Sequence, residues 1–526
     1  MKKNPNRLWI VALLLGWAFD FLFWKKPAGV NFAIFASLCL LGGFYLLLAD
    51  GLRPAPKSLW LMMPFAFFAV ITFLRQESLT AFLAYTLTLF ALSLFVITYL
   101  GGRWVQYNLA DYFRNYLNLA GSMLARAMSF NLEVRKAQVE SGETKKPRVI
   151  WPILRGLLIA LPVVAIFAAL LSSADAIFNQ QLNHLIELLR LQNLHEYIFR
   201  GVCILIGAYF IAGILLHAVS QSKDEKLLGE DKPVVAPFLG FTESAIVLGS
   251  VGILFLAFVV IQFQYFFGGH ANIRIDGYTY SEYAVRGFSE LVTVAFFSLL
   301  LLLGLTSITR RESEGQRRAF SGLGVGLVAL VLVMLVSAYQ RLGLYEAAYG
   351  FSRLRTYTHV VLIWIGLLLI ATIVLEILRR ERAFAFAAVI AALGFAVSLS
   401  LLNVDAFIVK QNIQRDGGKV ALDSQYFLNL SDDAVPALVD AYRTPSLPAP
   451  VKEKVGATLA CIRYERGLDR RDLPWQSFQL SRFYADHALA TVDKALAQYK
   501  LSDSQYPAQV TSLSGKVFDC SSSYFD

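Results

Sequence analysis

Cysteine and charge are scarce in this 526-residue chain, and complete catalytic motifs are missing. Its four cysteines are Cys39, Cys203, Cys461 and Cys520, and no two stand at the spacing of a zinc site. No metal held by thiolates is therefore expected. His184 and His195 are eleven residues apart. On one helix they share a face three turns apart, too far to hold one ion, and the HEYIF segment at His195 lacks the second histidine of a zincin. Charged residues make up 16% of the chain, against roughly 25% in soluble domains. No Walker loop, dinucleotide fingerprint, kinase signature or serine-hydrolase elbow occurs, which argues against ATP-driven activity within the chain. Neither a cofactor nor a metal is expected, and an enzymatic role is the less favoured one. The net charge of +10 invites a nucleic-acid reading. The basic residues, however, sit in short loops between apolar runs, which is a topology signal and not a binding patch. No nucleic-acid partner is expected.

What the chain has in abundance is hydrophobic length. It is 56% hydrophobic with 40 Phe and a mean hydropathy of +0.54. Apolar stretches recur at 8–24, 29–49, 58–74, 80–99, 153–172, 201–219, 243–267, 287–307, 320–339, 357–377 and 383–403. A bilayer core takes about 20 apolar residues per helix, and irregular lipid-exposed backbone is excluded there. The fold class is all-α: a polytopic transmembrane helical bundle of about 11 spans, ten to twelve with the boundary uncertainty, plus a small, mostly helical C-terminal soluble domain. Lys2, Lys3 and Arg7 before the first run resemble a signal sequence, but the run continues through Trp17, Phe19, Phe21 and Trp24 without a small-residue cleavage site. It reads as an uncleaved first span.

Charge asymmetry orients the spans. The segment 103–150, an interfacial helix and then a charged loop, carries Arg103, Arg114, Arg126, Arg135, Lys136, Lys145, Lys146 and Arg148 against four acidic residues. This makes it cytoplasmic, together with the N-terminus and the loops holding Arg310, Arg311, Arg317, Arg318, Arg379, Arg380 and Arg382. Lys25 and Lys26 run against the pattern. Residues 176–199 read as an amphipathic helix on the outer leaflet. An odd number of spans leaves 404–526 extracytoplasmic, where oxidising conditions make a Cys461–Cys520 disulfide conceivable. In that domain Ser431-Asp432-Asp433 suits a helix N-cap. Helices fit 450–466 and 474–499, and 500–526 reads as loosely structured.

Three polar segments fall on the outer face. In the first, Arg274 and Asp276 precede a turn at Gly277, and Glu282, Arg286 and Glu290 recur every fourth residue as an acid–base–acid stair. Glu290 lies inside the apolar register, where an ionisable group is expensive. The stair is either functional or a structural ion network. In the second, Arg341, Tyr345, Tyr349 and Arg353, with Arg355 beyond, form an aromatic–basic stripe if the segment is helical. Such a stripe suits an anionic head group or sugar, or an interfacial belt. The third, where the last span leaves the membrane, carries Asn403, Asp405, Asn412, Arg415 and Asp416. It either joins the same surface or is a hydrated linker. Asp20 invites comparison with multispan glycosyltransferases, but the loop after it is only KKPAG. Gly322 and Gly326 have the spacing of close helix packing. Pro162 is the conspicuous break inside a span.

The TYSEYAVRGFSEL, RLGLYEAAYGFSRLR and NVDAFIVKQNI blocks, with LSDDAVPAL, resemble an uncharacterised family of bacterial multipass membrane proteins, the domain-of-unknown-function 4153/4173 group. The resemblance covers the second half of the membrane region and the start of the tail. It implies a multipass protein of the bacterial cytoplasmic membrane and assigns no chemistry to any residue. The favoured function is a secondary transporter or translocator of an amphipathic or anionic envelope compound; the alternatives are a non-enzymatic sensor or scaffold and an enzyme acting on a lipid-linked substrate. Membrane lipids, an amphipathic or anionic ligand and another envelope protein are the partners to expect.

Overall fold

Each apolar stretch is helical in the computed structural model, which describes residues 5–140, 150–188, 194–223, 227–229, 235–267, 288–415, 422–468, 473–503 and 506–521. The membrane region runs α1 (Pro5–Phe23), α2 (Val30–Ala49), the single turn α3 (Pro56–Leu59), α4 (Met62–Leu74), α5 (Ser78–Ile97), α6 (Leu109–Glu140), α7 (Ile150–Ala174), α8 (Ala176–Leu188), α9 (Leu194–Ser220), α10 (Phe241–Phe267), α11 (Phe288–Ile308), α12 (Glu314–Tyr349), α13 (Arg353–Ile377) and α14 (Phe384–Leu402). Among the described residues, 10 helical stretches are long and apolar enough to cross a membrane. The remaining expected run, 153–172, lies within α7. The architecture is an all-α polytopic bundle.

The chain divides into two units. The first comprises Met1–Lys26, Ser37–Arg53 and Tyr116–Lys223. In it α1 packs along α9, with Leu8, Ala12, Leu46, Ala127, Ala208 and Ala212 in the core. Gly213 lets α9 approach the α6 backbone: a Cβ there would lie 2.8 Å from Met123 O and Ser122 O. Asp20 is buried and accepts from Arg200 Nε at 3.1 and 3.0 Å. Its role is internal pairing. The outer helix expected over 176–199 is divided differently, because α8 ends at Leu188 and the long α9 already begins at Leu194. His184 and His195 thus belong to different helices.

The second unit comprises Pro27–Ala36, Pro54–Asn115 and Asp224–Asp526. Successive helices pack as neighbours: α4 on α5, α11 on α12, α12 on α13 and α13 on α14, with α10 also against α12. Their core holds Phe320, Leu327, Val331, Leu342, Leu362 and Leu369. Polar bonds between helices add to it: Ser244 Oγ to Thr309 Oγ1 at 2.7 Å and Ser337 Oγ to Gln262 Oε1 at 2.6 Å. The expectation for Gly322 and Gly326 is corrected. Nothing lies within 4 Å of a Cβ at either position, whereas Gly324 faces Leu302 at 2.9 Å. With 36 residues, α12 is about 54 Å long at 1.5 Å per residue. It overshoots a hydrocarbon core of roughly 30 Å.

After α14, Asn403 adopts a left-handed conformation (φ 51°) and redirects the chain into α15 (Val404–Arg415). The exit segment is a helix and not a hydrated linker. There follow α16 (Ser424–Leu428), α17 (Val435–Arg443), α18 (Ala449–Leu468), α19 (Leu480–Ala490) and α20 (Asp493–Leu496). The helix expected over 474–499 is broken, because Pro474 and the turn at Trp475–Ser477 precede α19. Residues 500–519, expected to be loose, form an antiparallel sheet of β1 (Lys500–Ser502), β2 (Gln509–Thr511) and β3 (Val517–Asp519). Its order is β1-β2-β3, with Leu501 opposite Val510 and Val510 opposite Phe518. Val510 joins Val409, Phe427, Leu438, Val455, Leu459 and Leu489 in one core. A Cys461–Cys520 disulfide ties α18 to the residue after β3.

Candidate functional site

The polar groups of the second unit gather where two interhelical turns meet α15 and the residues before α17. The first turn is Arg75-Gln76-Glu77, between α4 and α5. Glu77 sits at the N-cap of α5, and its carboxylate accepts from Leu79 N and Thr80 N, both at 2.8 Å, and from Thr80 Oγ1 at 2.5 Å. These bonds satisfy donors that a helix start leaves without partners. The same carboxylate accepts from Tyr357 OH on α13. The turn's own amides point elsewhere: Gln76 N and Glu77 N donate to Asp433 Oδ2 at 2.7 and 3.1 Å, and Arg75 lies 3.6 Å from Asp433 Oδ1.

The second turn, 350–352, joins α12 to α13. Gly350 stands at φ 85°, and a Cβ there would meet Asn412 Oδ1 at 2.8 Å, so glycine is required on both counts. Asn412 pairs with Phe351 as a backbone would, accepting from its N at 2.7 Å and donating to its O at 2.9 Å. Arg415 covers the last carbonyls of α12, donating to Glu346 O at 3.0 Å and Ala347 O at 2.8 Å. At the head of α13, Arg353 grips Asp405 with two bonds, 2.8 and 2.6 Å. Ser431 N adds a third at 2.7 Å. Arg353 N donates to Tyr426 OH at 2.8 Å.

Burial decides what this cluster can do. Asp405 is 0%, Glu77 1% and Asp433 5% exposed. Every carboxylate oxygen among them is engaged by an internal donor or lies beside an internal cation. These three carboxylates are committed to internal partners, and the arrangement is a clamp that holds the C-terminal helices on the turns of the membrane helices. Sequence reasoning singled out Arg353, Asp405 and Asn412, and the structure brings the first two together. The stripe is corrected. Arg341, Tyr345 and Tyr349 share α12, but Gly350 ends that helix and Arg353 starts the next. Tyr345 instead lies under Arg355, whose guanidinium is 4.0 Å from the ring centroid, with Tyr349 edge-on to it at 5.0 Å. Arg341 is buried. Glu290 is exposed in the first turn of α11. Arg274, Asp276, Glu282 and Arg286 lie outside the described residues.

Glu77, Tyr357, Tyr426 and the Glu346–His359 pair (2.9 Å) escaped that reasoning. Glutamate is not a favoured N-cap, but an ionisable side chain in a turn this short between two spans was an available signal. Among the described residues no group of three or more His, Cys, Asp or Glu can hold a metal ion.

The C-terminal domain makes a further seam with the membrane helices. Phe478 O accepts from Val30 N at 2.9 Å, where α2 begins, and Ser477 Oγ donates to Pro27 O at 2.9 Å. Gly29 makes that approach possible, since a Cβ there would stand 2.6 Å from Ser477 C.

Residues 62–441 match the family described as a domain of unknown function (DUF4153). The match begins at α4, earlier than the blocks that carry the resemblance, and includes every residue of the clamp. No curated protein and no solved structure matches the chain at a significant level. With well over half of its length matched, this multipass membrane protein belongs to that family.

Proposed function

We propose that the protein is a non-enzymatic scaffold of the bacterial cell envelope, which holds its C-terminal domain in a fixed attitude on the membrane bundle. The observation that carries this reading is the burial of Glu77, Asp405 and Asp433 with their oxygens consumed by internal partners. A ligand-binding or rocking surface keeps some of its polar groups free, and these are engaged in joining two parts of one unit. The side of the membrane follows from charge. The turns at 27–30, 75–77 and 350–352 meet the C-terminal domain. The opposite helix ends bring Arg311 to Glu381 (3.2 Å), Arg379 to Glu314 (2.8 Å) and Arg310 to Pro237 O (2.9 Å), with Arg317, Arg318 and Arg380 nearby in sequence. The positive-inside rule gives that end to the cytoplasm and the domain to the far side. The Cys461–Cys520 bond suits such an oxidising compartment. A reporter active only outside the cytoplasmic membrane, fused after Asp526, is expected to work, and activity confined to a cytoplasmic reporter would reverse the orientation.

The scaffold reading has its own test. Nitroxides on Leu354→Cys at the head of α13 and Lys494→Cys on α20, in a chain lacking Cys39 and Cys203, should report one narrow distance. That distance should hold with or without a proton gradient across proteoliposomes. A second population appearing with the gradient would overturn the scaffold in favour of translocation. The buried Glu346 beside His359 supports that second reading, since a buried ionisable pair at the end of a span is a candidate for an ion pathway.

A further inference from the structure

We propose that the groove beside α19 is a seat for one anionic phospholipid, which takes the phosphate on Arg482 and an acyl chain on the rings of Trp475, Phe478 and Phe483. The groove encloses about 860 Å³, and these four residues line it together with Arg463 and Arg466. Its depth is set by two hydrogen bonds: Phe478 O accepts from the first amide of α2, and the Gln479 side chain donates through Nε2 to Thr72 O near the end of α4 at 3.3 Å. The segment therefore lies at the level where two spans meet the headgroup layer. Three large rings are left open there, Trp475 58%, Phe483 53% and Phe478 42% exposed. A water-facing domain gains nothing from them, whereas an interface accommodates them well.

Charge selects the headgroup. Arg466 is held by Asp432 at 2.5 Å and by Asp486, and Arg463 by Asp493 at 2.8 Å. Arg482 is half-buried and has no acidic partner among the described residues. An arginine without an acidic partner, lining the same groove as three aromatic rings, is complementary to a phosphodiester attached to a chain, and less so to a free anion, which has no use for the rings. The occupant is thus a lipid of the adjoining leaflet. The inference goes beyond the scaffold reading and needs only the docking of residues 475–479.

The test uses the full chain in nanodiscs and the fluorescence component lost on Trp475→Phe. Lipids with brominated chains quench a tryptophan that touches them. Brominated phosphatidylglycerol should quench the Trp475 component at about one-fifth the mole fraction that brominated phosphatidylcholine needs, as expected for one basic group at a membrane surface. Arg482→Gln should abolish the preference and leave quenching by both lipids, and Arg482→Lys should retain part of it. Inorganic phosphate should not reverse the preference. Absence of quenching by either lipid would overturn the proposal by placing the groove away from the leaflet. Equal quenching by both, unchanged in Arg482→Gln, would reduce the rings to a non-selective belt. Reversal by inorganic phosphate would make the ligand a free anion. A domain that moves in the spin-label experiment would leave all these outcomes readable, so the two readings fail separately.

Discussion

Arg353→Ala is expected to cost about 3–5 kcal/mol, the range for removing one partner of a buried ion pair. Asp405 is fully buried, and the two guanidinium bonds at 2.8 and 2.6 Å are its main compensation, with one amide at 2.7 Å remaining. Without Arg353 its carboxylate stays in a site that cannot hydrate it. The loss is local in origin but large in reach, because Asp405 lies in the first turn of α15, and α15 also supplies Asn412 and Arg415 to the α12–α13 turn. Thermal unfolding of the purified protein in detergent gives the magnitude. Hydrogen exchange of the amides of α15 gives the site of loosening. The double change Arg353→Leu with Asp405→Leu should be milder than Arg353→Ala, since it leaves no charge behind. Arg380→Ala, on an exposed residue at the far helix ends, should fall within about 0.5 kcal/mol of the parent. If Arg353→Ala were no worse than that control, the clamp would carry no energy and the scaffold reading would lose its support.

The same cluster shows what could be read from residues alone. The spans were legible because apolar length has one solution in a bilayer. Arg353 and Asp405 were legible as charges too close to a span to be idle. Their pairing was not, since 52 residues separate them and no local pattern says which acid an arginine will find. Asp433 reaches amides of residues 76 and 77, more than 350 positions away, and so read as a helix cap and nothing more. The aromatic–basic stripe failed at one residue: a period of four assumes a continuous helix, and Gly350 at φ 85° ends it. The sheet failed for lack of length, because three strands of three residues are too short for alternation to appear. Gly322 and Gly326 misled because spacing identifies a helix face but not whether a neighbour lies against it. Gly324 carries the contact.

Cys461→Ser is expected to destabilise the C-terminal domain by about 4 kcal/mol on the chain-entropy account of a disulfide closing a loop of this size, within the range of about 2–5 kcal/mol for native disulfides of small secreted domains. The two cysteines are 59 positions apart, and the loop contains α19, α20 and the whole sheet. The sheet has little else to hold it. Its strands are three residues long, β1 is exposed throughout, and β2 anchors the whole through Val510 against the core that Cys461 and Cys520 also join. Breaking the bond should therefore release the sheet first and leave α15–α17 on the membrane helices, since the clamp residues lie outside the loop. Hydrogen exchange read by mass spectrometry separates the two regions. Amides of 500–519 should lose protection in Cys461→Ser and in the parent under a reductant, while those of 404–415 and 435–443 keep theirs. Equal loss across both regions would make the domain a single cooperative unit. Unchanged protection at 500–519 would show that the sheet stands without the bond.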